Sequence, residues 1–560
     1  MIYPSVVFVK CLLFRPFWVE SGGEVQSGLK EAAMQRRQAW AHLWGIVLVL
    51  LLGSGLRMVG LEQSPPGLAP DEACNSYDAY SIWHTGRDQH GVFLPTVMRA
   101  LNDYRMPLFI YTQAPLVGAG GLTVFNARLA AAFWGILAIA ALYRLGREWF
   151  HPPVALASAA FLAISPWAVP LNRIALEVNA TVAPALLVAI CFWRWRRTGR
   201  LSYLIGAAIA AGLGLYTYSV MNLFLPLTVG MLALASRHQI RARWPQVLIA
   251  LGVGLCLTLP MVSNLIRYPQ QMSARYREIS VFRPERTFGE SLRRVALYAG
   301  YNLSPDYLFL RGDRDILQHP AGMGQLYIAQ AVLVPLGIAF GWRRKEWRLP
   351  ICLSGGWLLA ALLPVALTEP NLPGSGHSLR GLPGVVPWQL WSGLGLIALD
   401  NLIRHRFARW LVKGALVGWV IFQATGYFRY YFRDYPRDAA RNFNVVMKAA
   451  ALALNSWKDR YPAIYFTCDS NWPYLYFLFF TRYDPHLLQQ DLPERGPMLF
   501  GAVSRVGKFH NVCNTQEIWD SGAPGLFVVP IQEIPDVPPL AVVPGMDGQP
   551  RYKLIGRYSP

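Results

Sequence analysis

Two adjacent carboxylates, Asp71 and Glu72, follow a proline-glycine break and an apolar run from Leu43 to Leu61. Such a run fits a lipid bilayer, where a carboxylate is costly unless it faces water, a partner or a chemical task. General acid–base chemistry is one such task. Capping of a helix by Asp71 after Pro70, with Glu72 favouring the helix dipole, explains the pair equally well. The pair alone leaves both interpretations open.

The stretch that begins with the acidic pair, DEACNSYDAYSIWHTG, predicts a helix that ends at Gly86. Ala73, Tyr77 and Tyr80 share one face of this helix. We therefore expect it to lie along the membrane surface as a juxtamembrane helix on the outer side.

Other ionisable and polar residues gather in the segments that separate the later apolar runs. These segments are 62–121, 171–178, 266–325 and 368–381. The candidate site residues that they contain are Asp71, Glu72, Asp103, Tyr104, Arg105, Arg173, Glu177, His319, Gln325, His377 and Arg380. A lone histidine or arginine in a loop is usually structural, but four such loops near the ends of apolar runs predict a shared cavity.

The composition indicates a polytopic membrane protein. Hydrophobic residues make up 54% of the 560 residues and charged residues only 15%. The apolar residues cluster in runs that are long enough to span a bilayer. The net charge of +20 would suit nucleic acid, but the basic residues lie in short clusters between apolar runs, as in cytoplasmic loops. We therefore expect the lipid bilayer as a partner and no binding of nucleic acid.

The fold class that follows is mainly α, with about eleven transmembrane helices. Their approximate positions are 43–61, 122–143, 153–170, 179–193, 202–219, 221–236, 246–265, 326–342, 349–367, 382–399 and 411–428. A cytoplasmic leader at 1–42 (unless Met34 is the true start) places the strongly basic connections in the cytoplasm. The loop 62–121 and the chain after about residue 430 then face outward.

The tail, residues 431–560, differs from the transmembrane domain at 43–430. The segments AIYFTCDSNWPYLYFLFF and APGLFVVPIQEI predict short buried strands, and NFNVVMKAAALALNSWKDR predicts an amphipathic helix. We expect a small extracytoplasmic α/β domain. Its Cys468 and Cys513 either form a disulfide in an oxidising exterior or remain buried free thiols.

The order of these motifs resembles the membrane-embedded glycosyltransferases of the C-type superfold. The branch it most resembles comprises bacterial relatives of protein O-mannosyltransferases and of the lipid A aminoarabinose transferase. The resemblance lies in one span, an outer loop with the Asp-Glu pair, a PLY-like segment at Pro107-Leu108-Phe109, and NARLAAAFWGILAIAALYRLGRE. SPWAVPLNRIALEVNA, GDRDILQHPAGMGQLY and HSLRGLPGVVPW are also similar to that branch. The likeness covers residues 43–430.

This resemblance implies an inverting hexosyl- or pentosyltransferase of the cell envelope. Its donor would be a sugar on a polyprenyl-phosphate carrier, and its acceptor a hydroxyl of a lipid, glycan or protein. Transfer would occur on the outer face of the cytoplasmic membrane. Asp71 would be the general base, with Glu72 beside it. Glu177, the counterpart of the family's second-loop acid, would either orient the substrate of Asp71 or raise the pKa of Asp71 by like charge.

The resemblance also implies cations for the lipid-phosphate leaving group. Arg105 and Arg380 are the candidates for this role, and Arg173 is a weaker one. Some relatives hold a divalent metal between an acid and a histidine, and Asp103 and His319 would take those places.

One departure from the relatives affects the metal site. In some relatives an acid directly precedes the basic residue of the PLY-like segment. Here Tyr104 stands in that place, and Asp103 lies one residue earlier. His377 and Gln325 are further candidates for the same cavity.

Two other functions stay open on the sequence: a transporter or flippase of lipid-linked sugars, and a non-catalytic envelope assembly protein. Transporters often contain internal repeats and polar sites at mid-membrane. No repeat is evident, and the charged residues lie in loops rather than in spans. This pattern favours surface chemistry, although it names neither the sugar nor the acceptor.

Overall fold

The computed structural model describes residues 22–100, 103–467, 472–492, 494–495 and 503–558. Within these residues the chain is mainly helical, with a small sheet domain towards its C-terminal end. Residues 1–21 of the predicted leader lie outside the described residues. Residues 22–42 form the beginning of a helix that continues into the first predicted span without a break.

The first outer loop lies between two long apolar helices. Its elements and its flanking helices are α1 (Gly22–Met58), α2 (Pro70–Thr85), β1 (Met98–Ala100), β2 (Asp103–Arg105), α3 (Leu108–Ala119) and α4 (Val124–Trp149). The predicted end of α2 is confirmed, because Gly86 caps it with a φ of 70°. That left-handed conformation carries no steric cost for glycine.

A second group of helices runs through the middle of the chain. They are α5 (Pro152–Ala163), α6 (Ala168–Leu171), α7 (Val182–Thr198), α8 (Leu201–Leu215), α9 (Met221–Ala235), α10 (Arg237–Ala242) and α11 (Trp244–Arg267). The predicted span 153–170 is broken, since α5 ends at Ala163. Pro166 has no backbone N–H and restricts the residue before it, so the helix cannot continue through this point. A short 3₁₀ turn, Glu177–Ala180, precedes α7.

The third group contains two helices of the loop 266–325 and the remaining apolar helices. They are α12 (Pro269–Ile279), α13 (Phe288–Leu303), α14 (Gln330–Arg343), α15 (Arg348–Ala366), α16 (Ser378–Gly381), α17 (Val385–Leu402) and α18 (Arg406–Arg433). Helix α12 packs against strand β2, which brings the loop 266–325 next to the first outer loop.

Seven helical segments of the described chain are long and apolar enough to cross a membrane. They are Trp40–Met58, Val124–Trp149, Glu177–Thr198, Trp244–Arg267, Lys345–Ala366, Ser378–Leu402 and Arg406–Arg433. The chain is a multi-pass membrane protein. The other four predicted spans coincide with the shorter helices α5, α8, α9 and α14, so the total of about eleven crossings stays a prediction.

The tail folds into a mixed sheet covered by short helices. The helices are α19 (Tyr435–Asp438), α20 (Val445–Leu454), α21 (Pro473–Thr481), α22 (Pro485–Gln490) and α23 (Thr515–Asp520). The strands are β3 (Ile464–Thr467), β4 (Glu494–Arg495), β5 (Val503–Val506), β6 (Phe509–Val512), β7 (Gly525–Pro530), β8 (Ala541–Pro544) and β9 (Pro550–Arg557). Their order is β4-β5-β6-β3-β7-β9-β8, and β3 runs parallel to both of its neighbours.

One predicted strand of the tail is wrong. The run YLYFLFF forms the helix α21, which begins at Pro473 and is buried along nearly its whole length. This helix packs between α2 and the sheet, so apolar side chains are needed all round it. A short, uniformly apolar run has no periodicity that separates a helix from a strand.

The expected placement of α2 on the membrane surface is also wrong. Ala73 and Tyr77 are fully buried, and the Tyr77 hydroxyl donates to the carbonyl of Tyr483 at 2.9 Å. At the start of the loop, the backbone N–H of Leu68 donates to the carbonyl of Phe443 at 2.7 Å. The tail therefore covers the first outer loop directly.

The cysteines of the tail are only partly described. Cys513 is disulfide-bonded, so it is not a free thiol. Its predicted partner, Cys468, lies outside the described residues, and the pairing of the two stays a prediction.

Candidate active site

Helix α2 directs the side chains of the adjacent Asp71 and Glu72 into different surroundings. Successive residues of an α-helix point about 100° apart, so both side chains cannot face the same surroundings. Glu72 is fully buried, whereas 53% of the Asp71 side chain is exposed. The cap of the helix is Ala69, whose N–H donates to Glu72 at 2.9 Å, so Asp71 is not the capping residue.

Glu72 is enclosed by donors on every side. Its carboxylate accepts from the N–H of Ala175 at 2.9 Å, and from Arg128 Nε and Nη2 at 2.8 and 3.0 Å. The remaining donors of Arg128 are used by the carbonyls of Leu61, Pro65 and Gly67. This buried ion pair ties the first outer loop to α4. The geometry favours a structural role for Glu72 over the catalytic role expected from the sequence.

Asp71 lies in a small polar cluster with Arg105 and Glu177. The Arg105 guanidinium donates through Nη2 to the Asp71 carboxylate, and its Nε lies 3.5 Å from Glu177 Oε1. The side chains of Arg105 and Glu177 are 11% and 9% exposed. The cluster thus combines an accessible carboxylate with a recessed cation and a recessed second acid.

Asn75 completes this cluster and was missed by the sequence analysis. It is fully buried, and its Oδ1 accepts from Arg105 Nη1 at 2.7 Å. Its Nδ2 donates to the carbonyl of Ala175 at 3.1 Å. The available signal was its position four residues after Asp71, which puts both residues on one face of α2.

Arg128 was also missed, although its position gave a signal. It lies in the apolar run that became α4, and an arginine inside a membrane helix normally has a buried partner or a function.

Arg173 is placed apart from this cluster. Its guanidinium donates to the carbonyls of Leu56, Gly60 and Ser64 at 2.7 to 2.9 Å, and it stacks over the ring of Phe432 at 4.9 Å. These contacts join the end of α1 to α18. They indicate that Arg173 connects these two helices and does not bind the phosphate.

Arg380 and His377 form a second basic region at the start of α16. Arg380 Nη1 donates to Thr368 Oγ1 at 3.1 Å and to the carbonyl of Glu369 at 2.7 Å. The pKa of His377 is held well below its usual range by burial and by the nearby charges of Arg380 and Arg275. Because Arg275 belongs to α12, this region adjoins the helix that packs against the β2 strand of Arg105.

The two candidate site residues of the loop 304–329, His319 and Gln325, are fully buried. His319 Nε2 lies 2.8 Å from the carbonyl of Met323 and therefore donates to it, and burial lowers the pKa of His319 to about 4. Neither polar atom of the Gln325 side chain has a hydrogen-bond partner among the described residues. His319 lies near α18, where the Tyr427 ring is 6.0 Å from that of His319.

The expected divalent metal stays a prediction, because the side chain of one of its two predicted ligands lies outside the described side chains. Among the described residues, no three histidine, cysteine or acidic side chains come together as ligands. His319 Nε2 is already engaged with a carbonyl, and the side chain of Asp103 lies outside the described side chains. Tyr104 lies in β2, paired with Arg99 of β1. We derive no step of the reaction through a metal.

Comparison with known proteins gives the class of the fold. The sequence profile of the family described as dolichyl-phosphate-mannose-protein mannosyltransferase matches residues 106–263. The apo structure of ArnT from Cupriavidus metallidurans matches at a TM-score of 0.60 and 13% identity, covering 93% of this chain and 98% of that chain. ArnT from the same organism bound to undecaprenyl phosphate matches at 0.59 and 14%, covering 91% and 97%. No curated protein sequence matches this chain.

The fold is that of the membrane-embedded C-type glycosyltransferases. Within this class the chain resembles the group of protein O-mannosyltransferases and ArnT, the lipid A aminoarabinose transferase. The resemblance expected from the order of the sequence motifs is confirmed.

Proposed function

We propose that this protein is an inverting glycosyltransferase that uses a polyprenyl-phosphate-linked sugar. It transfers the sugar to a hydroxyl of a lipid, glycan or protein on the outer face of the cytoplasmic membrane. The sheet domain of the tail lies on the same side as the site, because it packs on the first outer loop.

The observation that carries this proposal is the contact between Asp71 and Arg105 on the C-type fold. The reaction needs a base for the incoming hydroxyl and a cation for the departing phosphate. Those two groups must lie on either side of one sugar carbon. The exposed Asp71 carboxylate and the recessed Arg105 guanidinium supply these two kinds of group within one cluster, and their contact must open for a sugar to lie between them.

In the proposed mechanism, the acceptor oxygen attacks the anomeric carbon from the face opposite the phosphate. Asp71 takes the proton of that hydroxyl as the new C–O bond forms. The bond between the anomeric carbon and the phosphate oxygen breaks, and its electron pair leaves with the phosphate. The configuration at the carbon inverts, because attack and departure occur on opposite faces.

Arg105 stabilises the leaving phosphate in this scheme. A guanidinium forms paired, charge-assisted hydrogen bonds with phosphate, and a phosphate needs charge compensation rather than a proton in order to leave. Arg380 is the second candidate because its region adjoins α12, next to β2. Arg173 is not assigned to the phosphate, since its donors are used by backbone carbonyls.

The proposal is tested by transfer with purified full-length protein. Polyprenyl-phosphate sugars and envelope extracts are incubated with wild type and with Asp71→Asn, and products are identified by mass spectrometry. We expect the variant to lose transfer at least 100-fold, because general-base catalysis contributes about that factor. The matched control is Asp306→Asn, which alters a partly exposed outer carboxylate that pairs with Arg311. Equal transfer by wild type and Asp71→Asn would remove the base from the mechanism.

The proposed compartment is tested separately. An Asp71→Cys variant is labelled in intact cells with a maleimide that cannot cross the membrane, against wild type as background. Labelling from outside is expected, since half of the side chain at residue 71 is exposed. Labelling only after the cytoplasm is opened would place the site on the other face.

A further inference from the structure

Arg105, the proposed phosphate-binding cation, is already hydrogen-bonded to Asp71, the proposed base. Arg105 donates to Asp71 through Nη2 to a carboxylate oxygen, and through Nη1 to the Asp71 carbonyl at 3.2 Å. A lipid phosphate would approach the same edge of the guanidinium, because that edge offers the paired donors that phosphate prefers. Asp71 and the phosphate therefore compete for one set of donors.

The burial of the partners decides which group gives way. Arg105 is 11% exposed and is bordered by Glu177, whereas Asp71 is 53% exposed at the first turn of α2. The pair is exposed only on the Asp71 side, and an incoming phosphate replaces the negative charge that Asp71 gives to Arg105, so the recessed guanidinium stays paired during the exchange. A phosphate can thus take the place of Asp71, and Asp71 can rotate outward without disturbing packed residues.

Asn75 is the partner that does not need to move. It is neutral and fully buried, and it is fixed by its hydrogen bond to the Ala175 carbonyl. Its Oδ1 holds Arg105 Nη1 at 2.7 Å, independently of the Asp71 carboxylate. In a protein without Asn75, no neutral side chain at this position would hold the Arg105 guanidinium once Asp71 has moved away.

We propose that the carrier phosphate displaces Asp71 from Arg105, and that Asn75 is a positioning residue that holds Arg105 during this exchange. Binding of the donor thereby frees the base that the reaction requires. This inference rests on the proposed function. It adds an order of events, in which the base becomes available only after the donor phosphate has bound.

The test measures binding of undecaprenyl phosphate to the purified full-length protein in nanodiscs. Asp71→Asn removes the competing charge, so we expect roughly fivefold tighter binding, the effect of about one exposed ion pair. Asp306→Asn serves as the control for a general loss of negative charge and should bind as wild type. Asn75→Ala should bind roughly tenfold more weakly, since it removes a hydrogen bond to a charged group.

The double variant Asp71→Asn/Asn75→Ala tests whether Asn75 positions Arg105 or only stabilises the fold. In the Asn75→Ala background, Asp71→Asn should no longer tighten binding, because Arg105, although still beside Glu177, is no longer fixed by Asn75. If Asn75 were only structural, the double variant would unfold at a lower temperature but would keep the fivefold gain.

The outcomes distinguish this inference from the proposed function. Binding by wild type with equal or weaker binding by Asp71→Asn overturns the exchange and leaves the proposed donor in place. A persistent fivefold gain in the Asn75→Ala background overturns the role of Asn75. If the wild type does not bind undecaprenyl phosphate, the proposed donor is wrong, and the proposed displacement of Asp71 by the carrier phosphate is wrong as well.

Discussion

Changing each of the two adjacent carboxylates to its amide, one at a time, tests the division of roles between them. Asp71→Asn and Glu72→Gln are nearly isosteric, and each removes one negative charge from the first turn of α2. Their sequence context is almost the same. Any large difference between the variants must come from the surroundings that the fold gives to each side chain.

The structure gives the magnitude of the difference. Glu72→Gln leaves the Arg128 charge buried without its counter-ion, and it turns an NH₂ group towards donors that previously met an oxygen. Breaking a buried pair in this way costs about 3–5 kcal/mol. Asp71 is half exposed, so Asp71→Asn should change the free energy of unfolding by less than about 1 kcal/mol.

The assay is thermal unfolding of the detergent-solubilised protein, combined with the amount of monodisperse protein recovered. We expect Glu72→Gln to unfold at a clearly lower temperature, or not to be recovered at all. Asp71→Asn should behave as wild type in both measurements and yet lose sugar transfer. Arg128→Met offers a second route to the same broken pair and should resemble Glu72→Gln.

Two results would refute this reasoning. A Glu72→Gln variant with wild-type unfolding temperature would mean that the Glu72–Arg128 pair is not a stabilising contact. An Asp71→Asn variant that fails to fold would mean that the exposed carboxylate has a structural role. Either result would require a different assignment of the acidic pair.

Three further predictions concern the surroundings of the site. Gly67→Ala should prevent folding, because a Cβ at φ +55° would collide with the Phe443 carbonyl. Gly91→Ala, at φ +81° with no atom of the described residues within 4 Å, is the control, and both variants are compared by recovery of monodisperse protein. Burial raises the pKa of Asp313 from 3.8 to about 6, so the stability of the wild type should fall as pH rises through this interval. In Asp313→Asn, the unfolding temperature measured from pH 4 to 7 should depend less on pH than in the wild type. Arg173→Met should lower the unfolding temperature without weakening undecaprenyl-phosphate binding by the protein that folds, whereas a selective loss of binding would restore its role as a phosphate ligand.

Local sequence patterns were sufficient for the elements that depend on neighbouring residues. The long apolar runs identified the membrane helices, because a bilayer imposes both length and hydropathy on a crossing helix. Pro70 and Gly86 bounded α2 correctly, since one favours a helix start and the other adopts the left-handed cap. The order of motifs along the chain was enough to indicate the C-type resemblance.

Contacts between distant segments decided what the patterns left open. The run YLYFLFF became a helix because it is enclosed between α2 and the sheet, and apolar residues on all sides carry no period. Arg173 was a weaker candidate for the phosphate, but the ends of α1 and α18 surround its guanidinium. Neither outcome is encoded within a few residues of the position concerned.

The acidic pair shows the same division between what a local pattern determines and what distant contacts decide. The sequence by itself determined that Asp71 and Glu72 open a helix after an apolar span, where carboxylates require partners or water. Only the tertiary structure decided that Glu72 meets Arg128 in the interior and that Asp71 faces Arg105 at an accessible surface. The physical reason is that a helix turns each residue by about 100°, while the direction of burial is set by segments more than 50 residues away in the chain.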